Sequence, residues 1–92
     1  MKYEVEICVP EGTIPYDDLE DEVQCLGEIV EAGTMFKYGY RYVFVETDDP
    51  DEVVQDITEF IKSYGVEVTK DYEKWSKQPD EIALVRVHKR SR

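Results

Sequence analysis

YRYVFVETDDPDEVVQDITEFIK, residues 40–62, changes its period halfway along. From Tyr40 to Glu46 the side chains alternate in twos, with Tyr40, Tyr42 and Phe44 on one side and Arg41, Val43 and Val45 on the other. A period of two built from aromatic and β-branched residues is a strand. From Asp49 the period becomes helical. Val53, Val54, Ile57, Phe60 and Ile61 form one apolar stripe, while Asp51, Gln55, Asp56, Glu59 and Lys62 face water. Asp49 suits the N-cap, Pro50 the first helical position, and Glu52 completes a capping box. Gly65 ends the helix. A strand followed directly by an amphipathic helix implies a sheet on which the helix lays its stripe.

Upstream, residues 2–9 alternate in the same way, with Tyr3, Val5, Ile7 and Val9 opposite Lys2, Glu4, Glu6 and Cys8. Pro10, Gly12 and Pro15 break that strand. Asp17 then reads as the start of a helix with Glu20 as its capping-box partner, Leu19, Val23 and Leu26 as its apolar face, and Gly27 as its stop. Residues 28–33 read as a second strand through Ile29, Val30 and Ala32, and residues 33–39 as an unusually apolar connection carrying Met35, Phe36 and Tyr38. Downstream, Val66 and Val68 open a further strand. Residues 70–78, with Tyr72 and Trp75, fit a helical turn or a continuing strand equally well. Ile82 to His88 is a last strand, and residues 89–92 a frayed basic tail.

The order β-α-β-β-α-β plus one extra strand points to an α+β domain over residues 1–88. The matching arrangement is a ferredoxin-like split β-α-β sandwich, with two helices on one face of an antiparallel sheet. If Val5, Ile7, Val43 and Val45 meet the helices, Tyr40, Tyr42 and Phe44 project from the uncovered face. Glu4, Glu6 and Cys8 stand beside them, and Ile82, Leu84, Arg86 and His88 join them if the last strand has the right register. Such a patch wants a cover: the loop 33–39 or the segment 70–78 of the same chain, a second copy, or a foreign partner.

Charge narrows the partner. Twenty-two carboxylates face eleven Lys and Arg, a net of −11 over 92 residues. Arg86, Lys89, Arg90 and Arg92 crowd the end, so residues 1–85 hold 22 acidic against 7 basic groups, a net of −15. That field repels phosphate backbones and anionic lipid and attracts basic protein surfaces. Residues 38–45 nevertheless resemble part of the central-strand motif of RNA-recognition domains. Gly39, Tyr40, Tyr42 and Val43 match it, while Tyr38 replaces the basic residue, Arg41 the small one and Val45 the last aromatic. The resemblance implies rings that stack on bases; the carboxylates of Glu4 and Glu6 beside them argue against nucleic acid.

Catalytic signatures are sparse. His88 stands alone near the end of the last strand and reads as solvated, and no serine has a nucleophile-elbow context. Cys8 and Cys25 match no metal or redox spacing, and Cys25 reads as a small buried residue. No cofactor is implied. Two acidic clusters, Asp17, Asp18, Glu20, Asp21 and Glu22, then Glu46, Asp48, Asp49, Asp51 and Glu52, fit helix capping better than a metal. With no leader and no long apolar run, the chain reads as cytoplasmic.

The expectation is a non-enzymatic interaction module, a regulator or inhibitor that binds a basic surface of a partner protein, in one version as a nucleic-acid mimic. Tyr40, Tyr42 and Phe44 would make contact, with Asp17, Asp18, Asp21, Glu22, Asp48 and Asp49 steering. The alternatives are a homodimeric small-ligand sensor and an RNA-recognition-like binder.

Overall fold

The computed structural model describes residues 2–89. Their order is β1 (Tyr3–Pro10), α1 (Tyr16–Gln24), β2 (Glu28–Met35), β3 (Tyr40–Thr47), α2 (Pro50–Lys62), β4 (Val68–Thr69), α3 (Tyr72–Ser76) and β5 (Ala83–His88). The strands form one sheet in the order β2-β3-β1-β5-β4. All neighbours are antiparallel except β4 and β5, so the sheet is mixed where an antiparallel one was expected. The extra strand is the cause. β4 lies outside β5 and runs parallel to it, with α3 in the connection. Helices therefore number three among the described residues, and α3 lies on the opposite face from the other two.

α2 forms as its sequence dictates. Asp49 accepts a hydrogen bond from the Glu52 backbone N–H at 3.2 Å, Pro50 follows, and Val53, Ile57 and Ile61 are sealed against the sheet. Only half of the capping box is made, because the Asp49 N–H donates instead to Thr47 Oγ1 at 3.0 Å. Gly65 closes the helix with φ +81°, a left-handed conformation that costs glycine nothing. α1 departs from expectation. It begins at Tyr16 behind Pro15 and no side chain caps it, so Asp17 is a first-turn residue rather than a cap. Its place is fixed by the burial of Leu19 and Val23. Beyond it Cys25 is exposed, not buried, since it follows the last helical residue on the solvent side.

One core lies between α1, α2 and the sheet, built from Val5, Ile7, Val9, Leu19, Val23, Val43, Val45, Val53, Ile57 and Ile61 with their neighbours. A second, smaller cluster lies on the far side: Cys8, Trp75, Ile82 and Leu84, with Tyr40 and Tyr42 packed against it. β4 ends after two residues because Lys70 and Asp71 turn the chain into α3, where Asp71 caps by accepting from Glu73 and Lys74 N–H groups. β5 is paired on that side only at Ala83 and Leu84. Beside its remaining residues lies a groove of about 530 Å³ lined by Asp51, Val54, Gln55, Lys70, Val85, Arg86 and Val87. Lys89 is exposed, while residues 90–92 of the tail lie outside the described residues. No helix among the described residues is long and apolar enough to cross a membrane.

Candidate functional site

The register of the sheet decides what its far face displays. Directly opposed residues of antiparallel strands share a face, so the face can be read in rows across β2, β3, β1 and β5. The first row is Glu28, Glu46, Glu4 and His88; the second is Glu31, Phe44, Glu6 and Arg86; the third is Gly33, Tyr42, Cys8 and Leu84. The fourth has Met35 and Tyr40 beside Pro10. A bulge at Val30 keeps this register: one extra residue between Ile29 and Glu31 lets Glu28 and Glu31 lie on the same side.

The two ends of this face differ. At the Tyr40 end α3 folds over the sheet, and Trp75, only 4% exposed, meets the Tyr40 ring edge-on with centroids 4.9 Å apart. At the Phe44 end no helix among the described residues covers the sheet, and Tyr42 and Phe44 remain half-exposed with their rings 6.0 Å apart. The loop between β2 and β3 does not fold back. Phe36 stands 77% exposed and Tyr38 52% exposed at the tip of the hairpin, where Gly39 turns at φ +75°. A shallow cavity of about 250 Å³ lies between, lined by Glu6, Cys8, Glu31, Met35, Tyr40, Tyr42 and Phe44.

Five carboxylates stand at the Phe44 end: Glu4, Glu6, Glu28, Glu31 and Glu46. Two side chains answer from β5. Arg86 Nε–H donates to Glu6 Oε1 at 2.9 Å, and His88 Nε2 lies 2.9 Å from the same oxygen. A carboxylate oxygen only accepts, so His88 carries its proton on Nε2. His88 is therefore a half-buried partner of Glu6, where the sequence suggested a solvated residue. Arg86 also lies over the Tyr72 ring at 4.6 Å, joining this cluster to α3. Nothing local in the sequence announces the cluster, because Glu6 and Arg86 are eighty residues apart.

Cys8 shares this face without being reactive. Burial first, then the charge and hydrogen bond of Glu6, push its thiol well above the ordinary range, with Sγ 3.8 Å from Glu6 Oε2. The thiolate that a nucleophile or metal ligand needs is disfavoured there. Burial likewise raises the Tyr40 hydroxyl. Among the described residues no group of three or more His, Cys, Asp or Glu is placed to hold a metal ion.

The steering residues inferred from sequence fall elsewhere. Asp17, Asp18, Asp21 and Glu22 lie on α1, and Asp48 and Asp49 lie at the entry to α2. Both helices pack on the sheet side opposite Tyr42 and Phe44. The contact rings and these steering carboxylates therefore lie on two surfaces. Along the helix layer Tyr64 donates to Asp18 at 3.2 Å, and Glu22 hydrogen-bonds Asp56, so the carboxylates form a seam between α1 and α2. Lys2 approaches Asp48 at 3.9 Å, both exposed. Among the described residues, the buried donors Arg41 Nε and Trp75 Nε1 lack acceptors; Arg41 instead places its guanidinium over the Tyr16 ring at 4.5 Å. Comparison with protein-family models, curated proteins and solved structures returns no match.

Proposed function

We propose that this chain is a non-enzymatic interaction module, a regulator or inhibitor that docks a basic segment of a partner protein on the uncovered end of its sheet. The observation that carries this is the row order around Phe44. Glu28, Glu46 and Glu4 are successive cross-strand neighbours, with Glu31 and Glu6 flanking the Phe44 ring in the next row. Glu28 and Glu46 are directly opposed like charges, which weaken a sheet, and a basic partner relieves that cost. Aromatic anchors inside a charged rim are also how energetic centres of interfaces are built. The helix-layer seam has the same charge without such anchors, so its task is long-range attraction of the same partner. In this reading the four strands β2-β3-β1-β5 with α1 and α2 are a ferredoxin-like unit, to which β4 and α3 are added.

The test uses an arginine-rich peptide and backbone amide shifts of the intact protein. Shifts should centre on Glu6, Glu31, Tyr42 and Phe44, and Phe44→Ala should weaken binding about tenfold, the loss of one hot-spot contact. Shifts confined to Asp18, Asp21 and Glu52 would leave the sheet face without a role. The groove beside β5 favours a second reading, a homodimer that senses a small ligand. Light scattering and a thermal-shift screen separate the two: a dimer stabilised by a metabolite supports the sensor.

A further inference from the structure

On the other side of Tyr40 lies a cavity of different chemistry. It has a volume of about 290 Å³ and is lined by Tyr38, Tyr40, Tyr72, Trp75, Ser76 and Pro79. The rings are set at angles to one another. Tyr40 and Trp75 are inclined at 78°, and Tyr72 and Trp75 at 50° with centroids 5.6 Å apart. Rings so inclined form the walls of a corner rather than a flat stack. Aromatic faces attract cations electrostatically, and the net charge of −11 concentrates cations around the molecule. The chain's own cations already use two of these residues: the Arg86 guanidinium lies 4.6 Å from the Tyr72 ring centre and the Lys37 ammonium 5.7 Å from that of Tyr38.

What the walls lack narrows the ligand. A primary ammonium carries three N–H donors and a guanidinium five, and each must find an acceptor when it leaves water. The lining offers hydroxyls and no carboxylate. A quaternary ammonium has no N–H donor to satisfy and presents its charge through methyl groups. We propose that this cavity binds a quaternary ammonium group, either of a small molecule or of a trimethylated lysine side chain. The site stands apart from the docking face around Phe44, so either can fail without the other.

Trp75 is the only tryptophan in the chain and lines the cavity, so its fluorescence, together with the NMR shift of its indole N–H, reports occupancy. The intact protein is titrated through the millimolar range, at constant ionic strength, with choline and with a trimethyllysine peptide. The controls are the unmethylated peptide and 3,3-dimethylbutanol, the uncharged carbon analogue of choline. Saturable changes are expected for the quaternary ligands, with both controls at least about tenfold weaker; the tighter of the two quaternary ligands identifies the source. Tyr38→Ala removes an exposed wall and should weaken binding about fivefold or more while leaving the far-UV spectrum unchanged. No saturable change, equal binding of the neutral analogue or of unmethylated lysine, or full affinity in Tyr38→Ala would each overturn the assignment.

Discussion

Glu22 and Asp56 place two carboxyl groups on one hydrogen bond across the seam between α1 and α2. Only a protonated carboxyl can donate, so the contact raises the Glu22 pKa, with burial and the Asp56 charge adding to the effect. A carboxyl that holds its proton more tightly when folded adds stability below its unfolded pKa, near 4.3 for an ordinary Glu, and loses that contribution as pH rises through the folded value. Above that value two charges face each other. Glu22→Gln keeps a donor and removes the charge, so it should stabilise the protein at neutral pH by about 0.5 kcal/mol, a figure kept to the scale of an exposed pair because solvent screens the seam. The gain should vanish in acid, and urea melts at neutral and acidic pH measure both; an equal gain at both would refute the charge account. Gly27 teaches a different lesson. It reads in sequence as a helix stop, yet a Cβ there would lie 2.5 Å from the Glu46 carbonyl oxygen and 2.9 Å from Val45 Cγ2. Gly27→Ala should therefore cost about 1–3 kcal/mol in urea denaturation, as overpacking against backbone does.

The two long helices start with the same sequence pattern, an Asp with a Glu three residues later, and the pattern holds in only one of them. Asp49 caps α2, so Asp49→Ala should cost about 1 kcal/mol. Asp17 caps nothing, so Asp17→Ala should stay within about 0.5 kcal/mol; equal losses in chemical denaturation would contradict the assigned helix starts. The difference comes from Pro15. As the N-cap it starts α1 two residues before the expected cap, and its carbonyl takes the Leu19 N–H at 3.1 Å. Strand faces were legible because the alternation through residues 3–9 and 40–46 is unbroken, and it sends Val5, Ile7, Val43 and Val45 beneath the helices and Tyr42 and Phe44 the other way. The bulge at Val30 was not, since one added residue leaves composition unchanged. α3 was ambiguous because Tyr72 and Trp75 suit either period. The signal that could have settled it is Thr69 with Asp71: the Asp71 N–H donates to Thr69 Oγ1 at 3.0 Å, and Asp71 then caps the helix.

At the scale of the molecule, the sheet separates a large core from a small one. Sequence could foresee the partition and, given the register, the shared face of Glu6, Arg86 and His88, but not their contacts, which exist only once β5 pairs with β1. Unequal cores open unequally, since local opening follows the number of buried contacts holding each part. Lifting α3 should expose Cys8 at a lower free energy than global unfolding. Labelling of Cys8 should therefore follow a urea slope less than about half the global m-value, while exposed Cys25 reacts at once. A Cys8 slope equal to the global one would mean that α3 never leaves alone. The arrangement also has a consequence at the bench. A low-molecular-weight disulfide that meets the Cys8 thiolate during such an opening leaves a mixed disulfide under Trp75 and departs as its own thiol, and the helix cannot settle back. A preparation stored with such a disulfide should then drift toward a species with intact α1 and α2 and a red-shifted indole, and a thiol reductant should restore it.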